Sequence, residues 1–328
     1  MFRPRPLVAL LLGCLLTVCL FLPLSCQSRP AAPASLSDKL DSLRLARPEL
    51  LSCMGAEDSA IVASILWRAR ENAWGEACVL DSLLPLFLDV PYVGGTLENN
   101  DGQGNERLVI NLRELDCVTL VENVTALCQL IRLQQGVEAY PYMIALLRYR
   151  GGDIGDYTTR LHYTTEWLLD NQRMGLVEDL TPRYSHLPSG HDIHFMTWNA
   201  DLYPMLVAHP DFVGKMEQIQ QRLNEMDTTC FIPKALVREE GIALFPERLA
   251  EARESLVTRL SEGDIIMIDT AVEGMDIGHL GFAHYQDGRL HLLHASSSGR
   301  RVMVSPEPLC DYLAGIRRFT GIRVVKIK

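Results

Sequence analysis

Two features of this 328-residue sequence could do chemistry together: a cysteine at the start of a helix and two histidines on a hairpin. Cys117 follows Asp116 where a short β-rich run gives way to a helical stripe of Val121, Val124, Cys128 and Ile131. The unpaired N–H groups and dipole of a first helical turn favour negative charge. That predicts a lowered thiol pKa, a thiolate nucleophile and a place to hold an oxyanion. A single cysteine is more often a packed hydrophobe, the fate expected for Cys128. Downstream, Asp287-Gly288 between two β-rich runs predicts a two-residue hairpin turn. Gln286 then faces Arg289, His284 faces His291, and His279 and His294 become diagonal neighbours on one face. Parity leaves open which of the two histidine-bearing faces meets the cysteine, and a three-residue turn with a bulge would move the pairing. A thiolate, an imidazole base and a polar group orienting that base are the minimum for nucleophilic acyl transfer.

The elements that must position these groups read as helices first and an antiparallel sheet last, an α+β order. Residues 40–88 read as helical, with Asp58 or Ser59 capping a helix that carries Ile61, Val62, Ile65, Leu66 and Ala69. Leu108–Leu112 is a strand candidate before the Cys117 helix. Residues 149–210 are punctuated by Gly and Pro with little periodicity. Phe212–Met226 and Arg248–Leu260 read as amphipathic helices, and the last seventy residues as strands. The composition is that of a folded chain, 48% hydrophobic and 22% charged. A formal charge of −10 without a basic run argues against nucleic acid as partner.

The N-terminus is different in kind. Arg3 and Arg5 precede an apolar run from Leu7 to Leu22 that ends in Pro23-Leu24-Ser25-Cys26, the pattern of an export signal over residues 1–25. Leu-Ser-Cys is similar to a bacterial lipoprotein signal, with Cys26 as the lipidated residue, and 26–39 reads as a tether. The expected organisation is thus signal, tether and one catalytic domain over 40–328, with a helical part at 40–90 and a loop-rich insertion around 150–260. Of the remaining cysteines (Cys53, Cys78, Cys117, Cys128, Cys230, Cys310), some could pair in an oxidising compartment.

The ordered set Asp116-Cys117, Gly263-Asp264-Ile265-Ile266, His279-Leu280-Gly281-Phe282 and His294-Ala295-Ser296 resembles the NlpC-type cysteine peptidases, papain-like enzymes that cut bacterial cell-wall peptides. Pro91-Tyr92-Val93-Gly94-Gly95 is similar to that family's Pro-Tyr-x-x-Gly segment. Leu115-Asp116-Cys117-Val118-Thr119-Leu120-Val121-Glu122 and Arg160-Leu161-His162-Tyr163 resemble its N-acetylmuramoyl-L-alanine amidase branch. The resemblance implies a papain-like fold over 91–328, with Cys117 as nucleophile, His279 as base then acid, and His294 orienting His279. It implies Tyr92, Gly94, Gly95, Asp116 and Tyr163 as active-site or substrate contacts. The implied partners are peptidoglycan-derived muropeptides, with no cofactor; the lipoprotein-like signal adds a lipid anchor at the periplasmic or cell-surface face of a bacterial membrane, and the histidine spacing gives no metal site. Leu120 departs from the pattern, standing where the branch carries an aromatic, and the His279–His294 interval is long, as a longer hairpin would require.

Two competing functions keep the same residues. One is cleavage of the D-glutamyl–diamino acid bond, the commoner activity of the NlpC type. The other is a non-catalytic lipoprotein that binds glycan or a partner. His186, His191 and His194 form no accepted metal motif, Gly102-Gln103-Gly104 lacks the spacing of a phosphate loop, and Asn123-Val124-Thr125 lies within a predicted helix.

Overall fold

The computed structural model describes residues 35–75, 79–98, 103–190, 192–226, 228–243 and 257–328. The expected signal, Cys26, most of the tether, Cys78 and His191 lie outside the described residues. Ser35–Lys328 constitutes one compact unit.

Its α-helices are α1 (Leu36–Ala46), α2 (Ala56–Glu71), α3 (Val79–Leu83), α4 (Cys117–Arg132), α5 (Tyr140–Arg148), α6 (Thr164–Met174), α7 (Phe195–Trp198), α8 (Pro204–Ala208), α9 (Asp211–Met226) and α10 (Leu309–Gly315). The strands are β1 (Val177–Asp179), β2 (Ile232–Pro233), β3 (Val237–Arg238), β4 (Gly241–Ala243), β5 (Val257–Thr258), β6 (Ile265–Thr270), β7 (Ile277–Gln286), β8 (Arg289–Ser296), β9 (Arg301–Val304) and β10 (Phe319–Ile327). The main sheet is antiparallel in the order β1-β10-β6-β7-β8-β9, with β2 also paired to β10. A small β3-β4-β5 sheet stands apart.

Residues 265–268 of central strand β6 form an unbroken apolar run because both faces of the sheet are covered. Ile265 and Met267 join the core under α4 and α5, while Ile266 and Ile268 join a second core that holds Leu309 and Leu313 of α10. Helix α4 drives Leu120, Val124 and Leu127, all fully buried, into the first core. Leu120 is therefore a packing residue, and an aromatic is not needed there. A third cluster joins α7, α8 and α9 to Tyr157 and Tyr163.

Several elements differ from expectation for physical reasons. Helix α2 is capped at Gly55, not at Asp58 or Ser59. The buried Asp58 carboxylate is engaged elsewhere, accepting the Leu112 N–H at 3.0 Å and pairing with Arg113. That contact also explains why Leu108–Leu112 is not a strand: side chains of Asp58 and Arg148 satisfy the backbone groups of Leu112 and Val109. Every residue of helix α5 is buried, so it has no solvent-facing side. Helix α6 lies inside the segment that reads as aperiodic and ends at Gly175, whose φ of 81° closes the last turn. The Arg248–Leu260 helix lies mostly outside the described residues, and its described end is strand β5, paired with β4. The Phe212–Met226 helix is present as α9. The β7–β8 hairpin has the expected register, Gln286 facing Arg289 and His284 facing His291.

Candidate active site

Cys117 is the first residue of α4 because Asp116 stops the extended chain and caps the helix. The Asp116 Oδ1 accepts the Thr119 N–H at 2.8 Å while Thr119 Oγ1 accepts the Asp116 N–H at 2.9 Å, a reciprocal capping box. The N–H groups of Leu280, Cys117 and Val118 stabilise negative charge on the Cys117 sulfur. They do not prevail. Burial, aided by the neighbouring Asp116 carboxylate, pushes the Cys117 thiol up to about 12, against the lowered value expected from its helical position. The helix start supplies donors, but its cap brings a negative charge and its packing removes water.

His279 lies on β7 where the pairing with β6 shifts, Ile268 facing His279 and Asp269 facing Ile277. Its Nε2 meets His294 Nδ1 at 2.6 Å, with the rings 4.9 Å apart at 83°. Gly281 makes this approach possible, since a Cβ there would lie 2.7 Å from the Leu293 carbonyl oxygen and 3.0 Å from His294 Cβ. Burial, then the charge of His294, lowers His279 to about 3, and burial lowers His294 to about 4. Both rings are neutral at neutral pH. When Nε2–H of His279 donates to His294, Nδ1 of His279 carries the lone pair.

Cys117 and His279 line one cavity of about 340 Å³, together with Gly95, Asp116, Tyr163 and Leu280. The expected Pro-Tyr-x-x-Gly segment is stitched beside the nucleophile by backbone bonds: Val93 N–H to the Leu115 carbonyl at 3.0 Å, Leu115 N–H to the Pro91 carbonyl at 3.0 Å, and Tyr92 N–H to the Arg300 carbonyl at 3.0 Å. Burial raises the Tyr92 phenol, and the charges of Cys117 and Asp116 add to that rise. Gly94 lies against Tyr92, where a Cβ would stand 3.3 Å from the phenol oxygen. Gly95 has φ of 74° and turns the chain into the cavity wall.

The Arg160–Tyr163 motif is also in the wall, with roles its residue types do not announce. Arg160 is buried between Glu98, at 2.6 Å, and Glu106, at 3.4 Å. His162 Nε2–H donates to the Tyr157 carbonyl at 2.8 Å, and burial holds the ring neutral. The Tyr163 hydroxyl accepts the Met196 N–H at 2.9 Å and the Gln220 Nε2–H at 2.8 Å, so it ties α7 and α9 to the cavity. A buried ion pair, Arg148 with Glu122 at 2.8 Å, completes the charged lining. Tyr312 on α10 escaped sequence reasoning altogether. Its ring lies 5.4 Å from His294, edge to face at 77°, and 6.4 Å from His279. A seven-residue helix after a proline offers no signal for it.

Cys53, Cys117 and Cys310 are free thiols, and Cys128 is buried in the α4 core face. Asn123 is buried within α4, its amide donating to the Thr119 carbonyl at 2.7 Å. Among the described residues, no group of three His, Cys, Asp or Glu side chains could hold a metal ion, and no helix is long and apolar enough to cross a membrane.

Residues 84–322 match the family model described as AmiA-like, N-acetylmuramoyl-L-alanine amidase-like. A search of curated proteins finds no match. Among solved structures, an N-acetylmuramoyl-L-alanine amidase from Bacteroides uniformis is 36% identical with a TM-score of 0.65, over 77% of this chain and 99% of that one. A putative xylanase from Bacteroides fragilis is 33% identical with a TM-score of 0.65, over 75% and 99%. A Legionella pneumophila protein of 20% identity shares the fold, with a TM-score of 0.56 over 83% and 94%.

Proposed function

The chain belongs to the AmiA-like family of N-acetylmuramoyl-L-alanine amidase-like proteins, hydrolases of peptidoglycan-like substrates, and from that premise we propose that it is a cysteine amidase. The bond cut is the amide between the lactyl group of N-acetylmuramic acid and L-alanine. The observation that carries this reading is the meeting of Cys117 and His279 on one cavity, with His279 fixed by His294 at 2.6 Å. A nucleophile at a helix start, packed against an antiparallel sheet that bears its base, is the papain-like plan of the NlpC type.

Thiol and imidazole are both neutral at rest, so proton transfer accompanies attack. Cys117 Sγ bonds to the lactyl carbonyl carbon as its proton passes to His279 Nδ1. The oxygen that gains the charge is received by N–H groups at the start of α4 and by the Tyr92 hydroxyl. The C–N bond then breaks, His279 returns the proton to the alanine nitrogen, and a muramoyl thioester remains on Cys117. His279 next takes a proton from water, which adds to the thioester carbonyl, and gives it to the departing sulfur. His294 holds the His279 tautomer and shares the charge of the imidazolium. Export over residues 1–25, a lipid on Cys26 and muropeptide partners outside the cytoplasm belong to the same reading.

Incubation with a defined muramyl-tripeptide and mass spectrometry of the products tests it. Release of intact tripeptide is expected, and none from Cys117→Ala. Muramyl-L-alanyl-D-glutamate as product moves the cut to the D-glutamyl–diamino acid bond. Full activity in Cys117→Ala removes the cysteine mechanism.

A further inference from the structure

One aromatic residue lies against the histidine pair and is not among the described residues that line the cavity of Cys117 and His279. The Tyr312 ring of α10 is centred 5.4 Å from His294 and 6.4 Å from His279. On its other side Phe319, the first residue of β10, lies 6.1 Å away. Phe319 in turn reaches β7 beside His279, where a Cβ on Gly278 would stand 3.1 Å from its Cε1. The rings of Phe319, Tyr312, His294 and His279 thus form one continuous wall.

Tyr312 is held there through β8, the strand that carries His294. Ser305, directly after β9, is buried and bonded to β8 through backbone and side chain. Its N–H donates to the Leu292 carbonyl at 2.8 Å, and its Oγ accepts the Leu292 N–H at 3.1 Å. Its carbonyl accepts Nδ1–H of His291 at 2.8 Å. The same Oγ donates to the Glu307 carbonyl at 2.7 Å, which fixes the chain just before Pro308 and α10. Leu309 and Leu313, both fully buried in the second core, then anchor the helix on either side of Tyr312. Helix and imidazole are therefore referred to one strand. Tyr312 is half-buried and His294 is buried, so the phenol ring stands between the imidazole and water.

We propose that Tyr312 is a positioning residue of the site: its ring holds the His294 imidazole against His279 and keeps water from it. This role presupposes the cysteine amidase reading, whose His279 tautomer it serves. Burial is what lowers His294 to about 4, and the Tyr312 ring supplies part of that burial. The phenol does not titrate in the working range. Burial, then the charges of Glu307 and Cys117, push it up to about 12 against the opposing charge of Arg318. His279, across from His294, is depressed by burial first and then by the charges of His294 and Arg318. Removal of the ring admits water to His294 and raises its affinity for a proton. Protonated His294 cannot accept from His279.

NMR of the histidine imidazoles in the full chain, titrated from pH 3.5 to pH 8, tests this without turnover. His294 of the wild type titrates near 4. Tyr312→Ala raises its proton affinity about tenfold, one pH unit in the midpoint. Tyr312→Phe keeps the ring and leaves the midpoint in place. Tyr312→Leu keeps an apolar anchor on α10 and rises with Tyr312→Ala, so the test stands even where the alanine variant unfolds. In turnover, Tyr312→Ala loses about threefold more of its kcat at pH 4.5 than at pH 8, with KM unaltered. A merely structural role lowers activity by the same factor at both. An unmoved His294 midpoint in Tyr312→Ala and Tyr312→Leu, a Tyr312→Phe midpoint that moves as far as theirs, or equal losses of kcat at the two pH values overturns the proposal. A raised His294 midpoint in a protein that cleaves no muropeptide upholds the role of the ring at the pair and fails the amidase reading instead.

Discussion

Replacement of His294 by alanine isolates the step on which the proposed chemistry depends. His294 Nδ1 is the partner of His279 Nε2 at 2.6 Å, and His294 is 3% exposed, so no bulk water stands ready to replace it. During attack His279 becomes an imidazolium, and a hydrogen bond to a charged group is worth about 1.5–3 kcal/mol. Its loss in the transition state lowers kcat by roughly ten- to 150-fold. A second signature separates this from a general loss of structure. His279 is depressed to about 3 by burial first and by His294 second, and protonated His279 cannot take the thiol proton. Wild-type kcat/KM is therefore flat through the mildly acidic range and falls only near pH 4, where His294 takes a proton and can no longer accept from His279. Without His294 the limb set by its own protonation disappears, and the loss of activity in acid is left to His279 alone. Hydrolysis of a muramyl-peptide followed from pH 3 to pH 9, with the melting temperature measured in parallel, reads both effects. His294→Gln restores an acceptor and recovers most of kcat. An alanine variant within twofold of wild type, or with its acidic limb unmoved, refutes the orienting role.

Other expectations follow from the same contacts. Asp116→Asn keeps a capping oxygen but removes the charge that raises the Cys117 thiol, so iodoacetamide labels Cys117 faster at neutral pH, and an unchanged rate counts against that cause. Asp116→Ala instead loses the cap and costs about 1 kcal/mol in urea unfolding. Gly281→Ala forces β8 away from β7 and lowers both stability, by about 1–3 kcal/mol, and kcat, because His294 can no longer reach His279. His162, His279 and His294 are held below the ordinary value of 6.5, so the unfolded chain binds protons that the folded chain excludes. Their contribution is whole above pH 6.5 and is lost as pH falls towards 4, by up to about 1.4 kcal/mol per pH unit for each histidine. His284, raised by its hydrogen bond to Glu262, acts in the opposite direction. Thermal melts from pH 7 to pH 4.5 should show a decline that is smaller in His279→Gln.

The hairpin was the most legible element, because a two-residue Asp-Gly turn leaves one register and the register places His279 beside His294. The start of α4 was equally plain from Asp116 and the stripe that follows. What stayed hidden depends on distant partners. Asp58 reads as a cap until Leu112, far along the chain, takes its carboxylate. Helix α5 has no polar face to mark its period. The direction of the Cys117 shift turns on how much water α4 and β7 exclude together, which no local pattern records. Tyr312 reaches the histidines only because α10 packs under the far face of the sheet.

The two halves of the proposed site are assembled over very different separations in sequence. The β7–β8 hairpin brings His279 and His294 together through local pairing, whereas Cys117 comes from nearly half the chain away and shares a cavity with His279 only when α4 seats against β7. Closing that long loop is entropically costly and comes late. A nascent or partly unfolded chain can therefore hold the histidine pair and the helix without the complete proposed site. Activity becomes a report on completion of the whole unit, and limited proteolysis anywhere between α4 and β7 should extinguish it together with the fold.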